Sequence, residues 1–275
     1  MFSNSKKIYL MGVLNVTPDS FSDGGEYLSL DKAVERAEKL IQDGAEIIDI
    51  GAESTRPEAN LISSEQEWSR LEDTLRKVNE IILNRNEPEL ILSIDTRKRE
   101  VVEKTLGFLS RIIVNDVSAL EDENAGIAKL IAKRPDSYIV INHHRGIPPT
   151  KNNPKANPQI IHELIRFFSS KIELAEKLGV QTKQIILDPG LGFGKGLKEN
   201  LLIIKNLEEI RKYFQLPIMI GASRKRFIKE LWGDAGQDWG SLVVSALGIK
   251  AGANIIRCHE PKFYKPLKLE FDLID

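Results

Sequence analysis

Short apolar runs rich in Ile, Leu and Val recur along this chain, separated by longer stretches in which apolar residues return every three or four positions. The runs are Ile8–Leu14, Ile47–Ile50, Leu90–Ile94, Ile112–Val114, Tyr138–Ile141, Gln184–Leu187, Pro217–Ile220 and Ile255–Cys258. They mostly lack alternating polar residues, as expected of strands buried on both faces of a parallel sheet. The amphipathic stretches predict helices. Asp31–Asp43 places Ala33, Ala37, Leu40 and Ile41 on one face, with Asp31 as N-cap. Ser64–Leu83, Arg99–Leu106, Asn124–Lys133, Pro158–Leu178, Lys198–Phe214 and Ser241–Ala251 follow. Eight strands, nearly all followed by helical material, predict a (β/α)8 TIM barrel. A doubly wound open sheet is the alternative, because periodicity alone does not count the strands that close a barrel. No low-complexity linker divides residues 1–275, so one domain is expected, with Gly146–Pro158 as a long loop.

Unusual polar residues fall where these runs end. Asn15 follows the first, and Glu53, Ser54, Thr55 and Arg56 the second. Asp95 ends the third and Asn115 the fourth, with His143 and His144 past the fifth and Asp188 at the end of the sixth. Ser223, Arg224 and Lys225 follow the seventh, and Arg257 and His259 close the eighth. Any one of these has an ordinary use as a helix cap or loop hydrogen bond. Together they point to a site, because all strand C-termini of a parallel barrel open onto one rim. Asp95, Asn115 and Asp188 are short acceptors suited to a flat heterocycle with several N–H donors. Arg56, Arg257 and His259 suit a phosphate or carboxylate. Gly192, Gly194 and Lys195 mark a flexible loop without the spacing of a phosphate-binding P-loop. Asn15–Gly25 is too long for a simple turn and reads as a lid on the rim.

Composition excludes more than it assigns. Among 275 residues, 39 Lys and Arg meet 40 Asp and Glu, so the net charge of −1 gives no sign of a nucleic-acid or acidic-membrane partner. No run has the roughly 18 apolar residues of a membrane span, and polar Met1–Lys7 does not read as a signal peptide. One cysteine, Cys258, precludes an internal disulfide. These features lead to the expectation of a cytoplasmic protein. No Ser/His/Asp or Cys/His nucleophile set stands out.

Several of these segments resemble the signature blocks of one enzyme family. Met11–Gly25 is similar to the first signature of dihydropteroate synthases, and Asp49–Pro57 to the second. Ser93–Thr96, Asn115–Asp116, Asp188–Lys195, Ser223–Lys225 and Arg257–His259 match the remaining blocks in order. The resemblance implies a (β/α)8 barrel, a homodimer, and the joining of 6-hydroxymethyl-7,8-dihydropterin diphosphate to 4-aminobenzoate. By the same resemblance Asp95, Asn115, Asp188 and Lys225 hold the pterin. Arg257, His259 and Asn15 meet the diphosphate, and Asn15 contacts Mg2+. Thr55, Arg56, Phe193 and Ser223 lie near the aminobenzoate, while Asp19, Ser20 and Phe21 belong to a mobile loop. Asp95, Lys225, Arg257 and His259 would be the catalytic set. Three departures stand out. Glu58 replaces a common Gly, Asn142-His-His-Arg-Gly146 replaces a more usual Met-His-Met-x-Gly, and Glu260 replaces a common Asp. A related pterin-binding methyltransferase, or a paralogue that binds pterin without turnover, are the rival readings. The first needs no diphosphate site, and the second would release no diphosphate.

Overall fold

The computed structural model of the chain describes residues 2, 7–17, 26–53, 61–85, 87, 89–147 and 156–274. Strands and helices alternate: β1 (Tyr9–Asn15), α1 (Glu26–Gln42), β2 (Ile47–Gly51), α2 (Ser64–Arg85), β3 (Ile91–Asp95), α3 (Arg99–Leu106), β4 (Ile113–Asp116), α4 (Gly126–Ala132) and β5 (Tyr138–Asn142). There follow α5 (Ile160–Lys177), β6 (Ile185–Asp188), α6 (Leu197–Lys205), α7 (Leu207–Phe214), β7 (Met219–Ile220), α8 (Arg226–Trp232), α9 (Gln237–Lys250), β8 (Ile255–Cys258) and α10 (Lys265–Ile274). All the strand pairings are parallel, in the order β6-β5-β4-β3-β2-β1-β8-β7. The two ends of that order meet. Leu187 of β6 bridges Ile218 in parallel, and its N–H donates to the Pro217 carbonyl at 2.9 Å. That bridge closes the barrel and rules out the open doubly wound sheet.

Two apolar cores account for the uniformly apolar runs. Outward-facing strand residues such as Leu10, Ile48, Ile94, Val114, Ile139 and Leu187 pack against the helices. Inward-facing Tyr9, Met11, Ile47, Ile91, Ile113, Val140, Ile186, Met219 and Ile255 fill the barrel toward the N-terminal ends of its strands. Phe2 plugs this inner core from below. It is fully buried and meets Tyr9 and Tyr138 edge-on, with ring centroids 4.8 and 4.9 Å away.

Helix boundaries depart from the sequence pattern for local reasons. Helix α1 starts at Glu26, so Asp31 lies in its second turn and does not cap it. The stretch expected as one helix over Lys198–Phe214 breaks into α6 and α7 at Asn206, whose side-chain amide donates to the Leu202 carbonyl at 2.8 Å. Asn competes with the helix backbone in just this way. Asn124, expected to open a helix, takes a left-handed φ of 55°, and α4 begins at Gly126. Helices α8 and α10 were not expected, and α9 begins at Gln237, ahead of Ser241. Among the described residues no helix is long and apolar enough to cross a membrane.

Candidate active site

Side chains on a strand alternate in direction, so residues two apart share a face. Following the inner core upward by that rule leads from apolar to polar on six strands. Ile47 is followed by Asp49, Ile91 by Ser93 and Asp95, and Ile113 by Asn115. Val140 is followed by Asn142, Ile186 by Asp188 and Ile255 by Arg257. The barrel floor is therefore apolar and its mouth polar, although the register is staggered around the barrel, with Asn115 opposite Val140 and Arg257 opposite Met11. Asp95 pairs with Asn115 across β3 and β4, and Asn142 with Asp188 across β5 and β6. Gly51 pairs with Asp95 and contributes no side chain; a Cβ there would sit 3.0 Å from the Asp95 Cβ.

Arg257 anchors this polar layer. Its Nε donates to Asp49 Oδ2 at 2.6 Å and its Nη2 to Asp95 Oδ2 at 2.7 Å. Asp49 is fully buried and also accepts from Ser93 Oγ (2.6 Å) and Asn115 Nδ2 (3.1 Å), so one carboxylate ties β2, β3, β4 and β8 together. Burial alone would lower the Arg257 pKa, but Asp49 and Asp95 outweigh it and hold the guanidinium charged. Burial pushes Asp95 up, opposed by Arg257 and reinforced by Asp49 and Glu67. Opposite, Asp188 accepts from the Gly190 N–H (2.7 Å) and from Asn142 Nδ2 (3.0 Å). Burial raises its pKa as well, against the pull of that N–H and of Lys225, Lys195 and Arg257.

The β6–α6 loop forms one wall. Gly190 has φ +65°, and a Cβ on it would fall 1.9 Å from the His143 carbonyl oxygen. Buried Lys195 threads beneath and donates to the carbonyls of His143 (2.9 Å), Gly190 (2.9 Å) and Phe193 (3.3 Å). Burial brings its pKa down to about 7. The loop thus sets the Phe193 ring, over which Lys225 Nζ lies 4.5 Å from the centroid. Burial and then Arg257 lower Lys225 to about 8, against Asp188 and Asp95. The resulting pocket is lined by Asp95, Asn115, Asn142, Asp188, Lys225 and Arg257, a convergence of polar groups suited to orienting a small ligand. A recess at the other end of the strands, among Ile82, Leu90, Phe108 and Leu109, carries Asn79, Glu87, Ser110 and Arg111 but receives none of the strand-end residues.

Not every strand-end residue joins this pocket. His259 sits beside it, its Nδ1 2.9 Å from Ser223 Oγ. Burial, with Arg257, Arg224, Lys225 and Arg36 nearby, depresses it to about 3, so its ring is neutral here. Asn15 is exposed at the end of β1. Glu53 is spent on its loop, accepting from Lys98 Nζ (2.8 Å), Arg97 Nε (3.0 Å) and the Ile62 N–H (3.0 Å). His143 is buried edge-on against Phe167 and His144 reaches the Ser118 carbonyl, so both brace neighbouring elements. Thr55, Arg56, Asp19, Ser20, Phe21 and Glu58 lie outside the described residues. Asp49, to which the sequence reading gave no role, proves central. Its signal was parity, since it stands two residues above inward-facing Ile47.

This arrangement has close parallels in known proteins. The model of the pterin binding enzyme family matches residues 11–259. A dihydropteroate synthase of Synechocystis is 38% identical over 263 residues, covering 94% of this chain and 88% of that one. The Escherichia coli enzyme is 36% identical, covering 92% and 87%. Among solved structures, Clostridium difficile dihydropteroate synthase crystallised with pteroic acid superposes with a TM-score of 0.88 at 34% identity, over 100% of this chain and 99% of that one. The Xanthomonas albilineans enzyme with 4-aminobenzoic acid gives 0.85 at 30%, over 98% and 93%. The Anaplasma phagocytophilum enzyme with 6-hydroxymethylpterin-monophosphate gives 0.85 at 29%, over 98% and 100%. Matched over nearly its whole length in sequence and in fold, the chain belongs to the dihydropteroate synthases of the pterin binding enzyme family.

Proposed function

We propose that this barrel mouth joins 6-hydroxymethyl-7,8-dihydropterin diphosphate to 4-aminobenzoate, releasing diphosphate and 7,8-dihydropteroate for folate synthesis. One observation carries the reading: acceptors from β3, β4, β5 and β6 converge with Lys225 and Arg257 on a single pocket. The nitrogen of the neutral aromatic amine attacks the methylene carbon on the pterin. The bond from that carbon to the diphosphate oxygen breaks, its electron pair leaves with diphosphate, and the amine sheds a proton. An aromatic amine needs no prior deprotonation, so the pocket's task is to orient the ring and balance charge. Asp95, Asn115 and Asp188 accept the ring's N–H donors and favour positive charge spreading into it. Lys225, held over the Phe193 ring, presents its ammonium to the pocket beside Asp95 and Asp188. Arg257, fixed by Asp49 and Asp95, retains donors for the leaving group, and neutral His259 with Ser223 adds hydrogen bonds beside it.

Magnesium fits this chemistry at Asn15. Its amide is exposed at the end of β1, and no group of three or more His, Cys, Asp or Glu side chains stands ready for a metal among the described residues. One amide oxygen suits an ion that keeps its waters and comes bound to substrate phosphates. When bound, magnesium supplies charge neutralisation for the diphosphate.

The same reading makes the enzyme a cytoplasmic homodimer. Lone Cys258 is buried, and on α9 Trp239, Val243 and Leu247 expose an apolar stripe at four-residue spacing. Sedimentation at a dimer mass supports the assembly; a monomer mass at micromolar concentration removes it. The activity is tested by diphosphate release with and without 4-aminobenzoate. Release only with both substrates establishes it, whereas pterin binding without release makes the chain a binding paralogue.

A further inference from the structure

We propose that Asn142 is a specificity-determining residue, whose side-chain carbonyl accepts an N–H from the amino-pyrimidine edge of the pterin beside Asp188. This rests on the pterin reading above and deepens it.

The geometry fixes which way the amide faces. A carboxylate can only accept, so the Nδ2 of Asn142 must be the atom that meets Asp188 Oδ2 at 3.0 Å. Asp188 accepts the Gly190 N–H, and Lys195, Lys225 and Arg257, which face it from the β6–α6 loop, the β7–α8 loop and the end of β8, pull it toward its ionised form against its burial. Oδ1 of Asn142 is thereby turned away from Asp188, beside Gly190, whose absent Cβ would lie 3.2 Å from it. Asn142 is only 2% exposed and lines the pocket, and Oδ1 has no hydrogen-bond partner among the described residues. A buried acceptor left unpaired is costly, and a ligand donor is what would relieve it.

The same construction appears across the mouth. Asn115 gives its Nδ2 to Asp49, and its own Oδ1 is likewise buried and unpaired. Each of two carboxylates thus turns an asparagine so that a carbonyl is left over, and both leftover carbonyls belong to residues lining one cavity. With Asp188 on the same lining, these two carbonyls ask for a ligand edge rich in N–H donors and repel one that presents a carbonyl there. In the sequence, Asn142 stands where the family more usually has Met.

The test is calorimetry of 6-hydroxymethylpterin and of lumazine, which has a carbonyl in place of the pterin amino group. Wild type is compared with Asn142→Leu, which keeps the size and removes both amide functions. Loss of one neutral hydrogen bond weakens the pterin by roughly three- to tenfold, while lumazine binding holds or tightens. The pH below which pterin binding fails also moves upward, because Asp188 loses a donor to its ionised form. Asn142→Met provides a second apolar variant should Leu not fold; it raises the KM for pterin diphosphate and leaves the KM for 4-aminobenzoate unchanged. Unchanged pterin affinity in a folded variant, or equal weakening of both heterocycles, overturns the proposal. Such a result with an active wild type would spare the proposed reaction, whereas a wild type that binds no pterin would remove both.

Discussion

At the scale of single residues, the site was legible where polar groups terminate apolar runs and illegible where they interrupt them. Asp95, Asn115 and Asp188 each stand at a strand end, where the barrel mouth receives them, whereas the buried strand-end acid Asp116 is spent on its own loop. Asp49 sits inside Ile47-Ile-Asp-Ile-Gly51 and looks like a strand interior; only its inward parity reveals it. Its weight is energetic. Removing one partner of a buried pair typically costs about 3–5 kcal/mol, and Asp49 holds Arg257, Ser93 and Asn115 at once. Asp49→Asn keeps the shape but opposes an amide N–H to these donors. We expect a loss of about 3 kcal/mol in urea unfolding, together with a raised pterin KM, because Asn115 and Arg257 are no longer oriented. A variant as stable and as active as wild type would refute this role. The second residue-scale expectation concerns pH. Lys225 is held near 8 by burial and Arg257, so its ammonium is present below that value and lost above it. Pterin affinity should therefore decline as pH rises through about 8. In Lys225→Arg that alkaline limb should vanish, since a guanidinium does not titrate there. A limb that persists in the arginine variant assigns it to another group.

At the scale of elements, strands were easier to read than helices. A strand buried on both faces writes itself as a solid apolar run, and each of the eight runs contains or overlaps an observed strand. Helix ends depend on single side chains and on tertiary contacts. Asn206 breaks a helix because its amide takes a carbonyl of the preceding turn, a choice that periodicity does not register. The β6–α6 loop is the opposite case, since its glycines are visible in sequence but their purpose is not. Glycine composition fits any turn, whereas here Gly190 lets the backbone approach His143 and offers its N–H to Asp188. Gly190→Ala must move that backbone, because the added carbon meets the His143 oxygen at 1.9 Å and the φ of +65° is strained for alanine. We expect a destabilisation of at least 1–3 kcal/mol and lost pterin affinity, as the loop carrying Phe193 shifts. Both are readable from thermal melts and calorimetry on the same preparation. Wild-type binding in Gly190→Ala would show that Asp188 does not need this N–H.

At the scale of the whole molecule, closing the barrel is what brings Asp95, Asn115, Asn142, Asp188, Lys225 and Arg257 to one pocket. The barrel that the eight runs predicted is the fold observed, but periodicity alone does not register its closure, which rests on a single bridge between Leu187 and Ile218. Once closed, the barrel separates its functions along its axis, with stability at the floor and chemistry at the mouth. Phe2 tests that division. It fills the floor, edge-on to Tyr9 and Tyr138, below the isoleucine layer and well beneath Asp49 and Asp95. Truncating a fully buried Phe costs about 3–5 kcal/mol through lost burial and the cavity left behind. Because rigid packing resists a void, the loss should fall on folding. The polar layer above is held by its own ion pairs between Arg257, Asp49 and Asp95 and does not lean on the Phe2 ring. Phe2→Ala should therefore melt many degrees lower, yet keep the wild-type KM for both substrates and the wild-type kcat when assayed below its transition. If the substrate constants change in step with the melting temperature, floor and mouth are coupled, and the barrel's chemistry depends on its packing all the way down.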